Sequence, residues 1–211
     1  MFGLTAASLA LSGCSIGSGQ SPLDVVPGFS GDDTSARAES ISYASLDFHV
    51  AGFGGLVILA SQAEDMTYWQ FRDEATIALK DGYLHSSAGL EQNLIDTRIT
   101  DRDGNDLDRL PWRQASSSVS YRITREWRTS EGYAHRGQAD ATLRCEASTS
   151  NTELPLTSRA LQTCHETLDW DTGDVTQSTL WRAPGDGRLW AVETQPWPDA
   201  PTFDWKVARP W

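Results

Sequence analysis

Apolar and polar residues alternate with a period of two in several stretches of this chain. In residues 46–50, LDFHV, every second side chain is apolar, and residues 119–128 show a similar alternation over a longer stretch. A period of two places successive side chains on opposite faces of a β-strand, so both stretches are predicted to be half-buried strands. Residues 175–182 and 188–194 flank the turn sequence PGDG at 184–187, and they are predicted to form a hairpin.

Other stretches fit the same fold class. The apolar run LVIL at 56–59 is typical of a strand inside a sheet, and the sequence KDG at 80–82 is typical of a tight hairpin turn. Only two short stretches, 35–42 and 89–95, have the pattern of helices. We therefore expect residues 39–211 to form one mainly β domain. Its antiparallel strands should make curved sheets, either a sandwich or an open barrel-like arrangement, with little helix.

The first residues have the pattern of a secretion signal. Residues 1–13 carry no charged side chain, and their apolar part is shorter than the roughly 20 residues of a membrane-spanning helix. The sequence LSGC at 11–14 resembles the bacterial lipobox, in which a branched apolar residue and two small residues precede a cysteine that is lipidated. We expect a signal peptide at 1–13 and lipidation of Cys14; the alternative is a short helix ending in a buried cysteine. No Lys or Arg precedes the apolar run, which leaves open a start upstream of Met1.

A flexible tether is expected between the lipid and the domain. Residues 15–33 are rich in Gly, Ser, Pro and Asp and lack strand or helix periodicity, which is the composition of a linker. We assign residues 14–38 to the lipidated cysteine and this tether. Residue 15 is Ser, whereas an Asp after the lipidated cysteine favours retention at the inner membrane of Gram-negative bacteria. The sequence therefore points to the outer membrane, with the domain facing the periplasm.

Two further cysteines, Cys145 and Cys164, form an even number in what is predicted to be an oxidising compartment. If their segments pair as antiparallel strands with the cysteines opposed, the midpoint falls between Leu154 and Pro155, within a polar segment that could turn. We expect a structural disulfide that contributes about 3 kcal/mol in the chain-entropy model. Two free thiols or a metal pair are the alternatives.

Composition narrows the possible partners. The 211 residues carry a net charge of −12, which argues against binding nucleic acid and against electrostatic docking on an anionic membrane. The nine tryptophans are the unusual feature. Trp112, Trp197 and Trp211 lie beside prolines, and aromatic side chains on loops can contact a glycan or a protein partner. The alternative is that they pack in the core, as expected for Trp127 and Trp205 on apolar strand faces.

No sequence motif for catalysis is present. The four histidines are scattered without metal-ligand spacing, and GxSxG, HExxH, P-loop and GxGxxG sequences are all missing. The acidic segment at 101–106 has an incomplete resemblance to a calcium-binding loop, and an ordinary solvated loop is the favoured interpretation. The sequence therefore predicts no catalytic residues, no metal site and no cofactor.

The assembled features resemble the YjbF/GfcB family of outer-membrane lipoproteins, which are encoded with exopolysaccharide or group 4 capsule secretion genes. The resemblance runs through GGLVILASQAED at 54–65, DEATIALKDGYL at 73–84, GLEQNLID at 89–96, TREWR at 124–128 and LDWD at 168–171. It implies a periplasmic, lipid-anchored accessory factor in polysaccharide export that works near an outer-membrane β-barrel partner. The family has no established catalytic residues to transfer.

The leading hypothesis is a non-enzymatic lipoprotein that assists export or assembly of an exopolysaccharide by contacting a partner protein, the glycan, or both. A protein partner is slightly favoured, because the acidic chain repels an anionic polymer unless divalent cations bridge them. Two alternatives stay open: a glycan-modifying enzyme of the same pathway, or a purely structural envelope lipoprotein.

Overall fold

The computed structural model describes residues 34–71, 75–114 and 117–211. They contain one α-helix, α1 (Thr34–Ser40), one 3-10 helix (Pro111–Arg113) and twelve strands. The strands are β1 (Ser45–Val50), β2 (Phe53–Ala63), β3 (Met66–Gln70), β4 (Thr76–Lys80), β5 (Tyr83–Ala88), β6 (Asn93–Thr100), β7 (Ser118–Arg128), β8 (Ala134–Leu154), β9 (Thr157–Trp170), β10 (Val175–Arg182), β11 (Leu189–Thr194) and β12 (Phe203–Arg209). The predicted signal peptide, Cys14 and most of the predicted tether lie outside the described residues.

All twelve strands belong to one antiparallel sheet, in the order β5-β4-β3-β2-β1-β12-β11-β10-β9-β8-β7-β6. The sheet curls until its two edge strands, β5 and β6, meet. The backbone N–H of Leu94 donates to Ser87 Oγ at 2.9 Å, and His85 Nε2 lies 3.4 Å from Asp96 Oδ1 across the same seam. The sheet is therefore nearly closed into a barrel, which confirms the mainly β, antiparallel, barrel-like prediction.

The core fills the inside of this barrel, and β1 shows how the sequence pattern produces it. Leu46, Phe48 and Val50 are all buried, while β2 and β12 pair with β1 on either side. The Phe48 ring stacks on Trp205 of β12 at 5.8 Å between centroids and meets Phe203 edge-on at 6.2 Å. Period-two alternation therefore does place one set of side chains inside and the other outside.

One of the two helix predictions is confirmed and the other is wrong. Helix α1 covers most of the predicted stretch 35–42, and the last residues of the predicted tether belong to it. The stretch 89–95 is instead a turn leading into β6. The Asn93 side chain accepts a hydrogen bond from Leu90 N (3.0 Å) and donates one to Leu90 O (2.7 Å), which closes the turn in place of a helix. No helix within the described residues is long and apolar enough to cross a membrane.

Cys145 and Cys164 face each other across the β8–β9 pair and form a disulfide, as predicted. The chain turns between Leu154 and Thr157, at the predicted midpoint. The polar segment before the turn is nevertheless strand, because Thr149–Leu154 of β8 pairs with Thr157–Gln162 of β9. Residues 146–161 thus form a two-stranded extension beyond the rest of the sheet, which we call the ribbon. Its polar sequence reflects exposure of most of its side chains to solvent.

Candidate functional site

A polar cleft opens at one end of the barrel, here called the upper end. The β2–β3, β4–β5 and β10–β11 turns meet there with the long β6–β7 connection, which carries the 3-10 helix. The cleft has two adjoining lobes of about 560 and 310 Å³. Asp65, Asp81, Arg113 and Asp186 line both lobes, and Arg188 and Trp211 line the smaller one.

Arg113 connects the loops that form the cleft. Its Nε donates to Asp81 Oδ2 at 2.5 Å, and its Nη2 donates to Asp81 Oδ1, so the contact is bidentate. Its Nη1 donates to the backbone oxygen of Asp186 at 2.9 Å. The hydrogen bonds to Asp81 raise the pKa of Arg113 above its usual value. One guanidinium therefore joins the β4–β5 turn, the 3-10 helix and the β10–β11 turn.

The 3-10 helix also depends on a second arginine and on one glycine. Arg182 Nη1 donates to the backbone oxygens of Trp112 (2.7 Å) and Gln114 (2.8 Å). Gly187 has a φ of 71°, and a Cβ at this position would lie 2.4 Å from the Trp112 oxygen. Only glycine lets the β10–β11 turn approach this closely, so the predicted turn sequence PGDG has a packing role at the cleft.

The three candidate contact tryptophans separate into two groups. Trp112 and Trp197 are buried: Trp112 stacks on Tyr83 at 4.6 Å, and Trp197 stacks on Trp127 at 5.9 Å. Neither ring reaches solvent, so the prediction that they contact a glycan or a partner does not hold in this structure. Their loops fold back over the barrel, where large rings fill its interior. Trp211 alone stays partly exposed, in the wall of the smaller lobe.

Two arginines stack on tryptophans beside Trp211. The Arg159 guanidinium lies 3.8 Å from the Trp190 ring centre, and the Arg188 guanidinium lies 4.4 Å from the Trp211 ring centre and 5.4 Å from that of Trp190. Burial lowers the pKa of Arg188. The nearby Arg113 charge lowers this pKa further, whereas the Asp186 charge raises it. Sequence reasoning missed this group because Arg159 and Arg188 come from hairpins far apart in the chain.

A buried polar network lies inside the barrel. Glu166 is 1% exposed, and its carboxylate accepts hydrogen bonds from the Tyr83 hydroxyl (2.8 and 3.0 Å) and from the Tyr121 hydroxyl. Arg125 Nη2 donates to the Tyr83 hydroxyl at 2.9 Å, and its Nη1 donates to the backbone oxygen of Pro196. Burial, with the nearby Glu166 charge, raises the pKa of Tyr121 well above its usual value. The network joins four parts of the barrel, and all four of its side chains are buried.

The chain is similar to proteins of a known family. The family model described as "Group 4 capsule polysaccharide lipoprotein gfcB, YjbF" matches residues 32–202. The chain belongs to this family. The crystal structure of the hypothetical lipoprotein YmcC from Escherichia coli K12 shares the fold of this family member, with a TM-score of 0.69 at 14% identity over 84% of this chain and 89% of that one. No curated protein matches the sequence.

The acidic segment at 101–106 forms a closed loop in this family member. Asp101 Oδ1 accepts hydrogen bonds from the backbone N–H groups of Asp103 (2.9 Å) and Asn105 (2.8 Å), and Oδ2 accepts one from the Asn105 side chain (2.9 Å). The hydrogen bonds from Asn105 lower the pKa of Asp101. The Asp101 carboxylate therefore stabilises the conformation of its own loop. Across residues 34–71, 75–114 and 117–211, no group of three or more His, Cys, Asp or Glu side chains could hold a metal ion.

Proposed function

We propose that this protein is a non-enzymatic, lipid-anchored accessory factor in export or assembly of a capsular polysaccharide or exopolysaccharide. Its membership of the capsule polysaccharide lipoprotein family carries this proposal. The lipid is on Cys14, the anchor is in the outer membrane, and the barrel faces the periplasm on its tether. The proposed protein partner is an outer-membrane β-barrel that exports the polymer.

The side chains support a binding role over a catalytic one. Glu166, the buried carboxylate inside the barrel, accepts hydrogen bonds from two tyrosine hydroxyls. In the cleft, Asp81 is held by a bidentate contact with Arg113 and by Trp112 Nε1, which donates to Asp81 Oδ2 at 3.1 Å. Groups locked in this way are suited to positioning loops rather than to transferring protons.

Gene deletion with complementation tests the proposal. We expect deletion to reduce polymer at the cell surface and wild-type protein to restore it. A Cys14→Ala variant should accumulate without lipid and fail to restore export, because a soluble barrel is not held at the membrane. Surface polymer that is unchanged by the deletion would refute an export role. Shortening of purified polymer by the purified protein would refute the non-enzymatic role and favour the glycan-modifying alternative.

A further inference from the structure

Four side chains form a continuous series of cation–ring contacts in the order Arg159, Trp190, Arg188, Trp211, and the last two of them line the smaller cleft lobe. We call this group the ladder. Arg159 comes from the ribbon, Trp190 from β11 and Arg188 from the turn before it. Both guanidinium groups lie over the Trp190 ring, and the Arg159 charge adds to the effect of burial in lowering the pKa of Arg188. Stacking on tryptophan favours this arrangement through cation–π attraction.

The ladder concentrates positive charge in an otherwise acidic chain. Within the described residues, no Asp or Glu side chain lies within salt-bridge distance of Arg159 or Arg188. Three of the four Asp and Glu side chains that line the smaller lobe have other cations beside them: Asp81 is bound by Arg113, Asp65 lies 3.8 Å from Lys80 Nζ, and Asp186 lies 4.0 Å from Arg113 Nη1. Asp186 and Asp81 act on Arg188 only at longer range. Two guanidinium groups on one tryptophan ring, without an Asp or Glu partner, are suited to binding an anionic group.

Arg188 is also fixed in position. Its Nη2 donates to the Trp211 backbone oxygen at 3.3 Å while its guanidinium lies over the Trp211 ring. A guanidinium held in one plane loses little freedom when a carboxylate binds to it. Beyond it, the cleft offers carboxylate, guanidinium and ammonium groups that can accept from or donate to sugar hydroxyls.

We propose that the ladder binds the carboxylate of an acidic sugar residue, with the neighbouring hydroxyl groups in the polar cleft. The inference rests on the proposed function, because the exported polysaccharide supplies the sugar. The net charge of −12 does not prevent binding, because the Debye length is about 8 Å at physiological salt and the distant carboxylates are screened. The two guanidinium groups of the ladder supply the positive charge next to the bound carboxylate.

Two oligosaccharides of equal length test the proposal: tetragalacturonate, which is acidic, and maltotetraose, which is neutral. Each is titrated into the folded protein by calorimetry, with tryptophan fluorescence as a second readout. We expect tetragalacturonate to bind at least ~10-fold more tightly, and this preference should decline as salt rises. Arg159→Gln and Arg188→Gln should each weaken tetragalacturonate binding by about tenfold. Arg128→Gln, an exposed arginine on β7 at the opposite end of the barrel, makes the same charge change and should have no effect.

Equal affinity for the two oligosaccharides, no binding of tetragalacturonate, or full binding by Arg159→Gln would each overturn the proposal. Arg159 is exposed, so its variant is expected to fold even if Arg188→Gln does not. Vesicles containing anionic phospholipid provide another arm: ladder-dependent binding of vesicles without binding of tetragalacturonate would assign the site to a membrane instead. If wild-type protein restores export in the deletion strain but does not bind tetragalacturonate, this inference fails and the proposed function stands. If deletion leaves export unchanged, the proposed function fails whatever the binding result.

Discussion

Replacing Glu166 by glutamine is expected to destabilise the barrel by about 3–5 kcal/mol. The buried carboxylate accepts hydrogen bonds from Tyr83 and Tyr121, and Arg125 reaches it through the Tyr83 hydroxyl. Glutamine keeps the shape of the side chain but removes the negative charge that faces the buried guanidinium. One of its two former acceptor positions also becomes an amide donor, directed at a tyrosine hydroxyl.

The magnitude follows from these contacts. A hydrogen bond to a charged group contributes about 1.5–3 kcal/mol, and the substitution removes or weakens two of them. The sum agrees with the ~3–5 kcal/mol lost when one partner of a buried charged group is removed. For a domain of this size, 1 kcal/mol lowers the melting temperature by roughly 2–4 °C, so we expect a decrease of roughly 6–20 °C.

Urea unfolding followed by near-ultraviolet circular dichroism measures the change, with the disulfide intact in both proteins. Glu153→Gln is the matched control, because Glu153 is exposed on the ribbon and its replacement should change the free energy of unfolding by less than ~0.5 kcal/mol. A loss of unfolding free energy below about 1 kcal/mol for Glu166→Gln would refute the reasoning, since two hydrogen bonds to a buried carboxylate should contribute more than this.

Three other predictions concern stability. Reduction of Cys145–Cys164 should lower the free energy of unfolding by about 3 kcal/mol, and mass spectrometry with thiol labelling confirms the bond if labels appear on Cys145 and Cys164 only after reduction. Gly187→Ala should cost about 1–3 kcal/mol in urea unfolding, because alanine meets a positive φ and a backbone oxygen at 2.4 Å; an unchanged midpoint would contradict this. Stability should fall as pH rises above ~10, because burial raises the pKa of Tyr83 and of Tyr121, so the unfolded chain releases protons that the folded barrel retains. Absorbance at 295 nm should show these two tyrosines ionising only with unfolding, and their earlier ionisation in the folded barrel would contradict the burial argument.

The strands were predictable where one face of the sheet meets solvent. In residues 46–50 the apolar positions alternate because the barrel buries every second side chain. The disulfide was predicted from an even number of cysteines in an oxidising compartment, and the strand register does place Cys145 opposite Cys164. The stretch 89–95 was wrongly predicted to be a helix because its apolar spacing fits a helix. The Asn93 side chain instead binds the Leu90 backbone and closes a turn. Local patterns thus identify most elements but not the side-chain contacts that decide a turn.

The site was harder to predict, because burial at the ends of the barrel depends on how loops fold back. Trp112 and Trp197 lie in loops beside prolines, as the sequence indicates, yet both rings fill the interior. A usable signal for the buried network did exist. Arg125 occupies the same alternate positions as the apolar residues of β7, and Glu166 occupies those of Leu168 and Trp170 on β9. A charged residue on the buried face of a strand indicates an internal polar contact.

The order of strands in the sheet has a consequence for how this protein folds. Every neighbouring pair follows directly along the chain except β1 and β12, which pair in the middle of the sheet from opposite ends of the described chain. Contacts between distant segments form slowly, because a long loop must close before they contribute. Strand β1, the strand nearest the proposed lipid, therefore pairs on both sides only when β12, the last strand of the described chain, has joined the sheet. If the chain is exported as proposed, a partly translocated chain leaves this sheet position open.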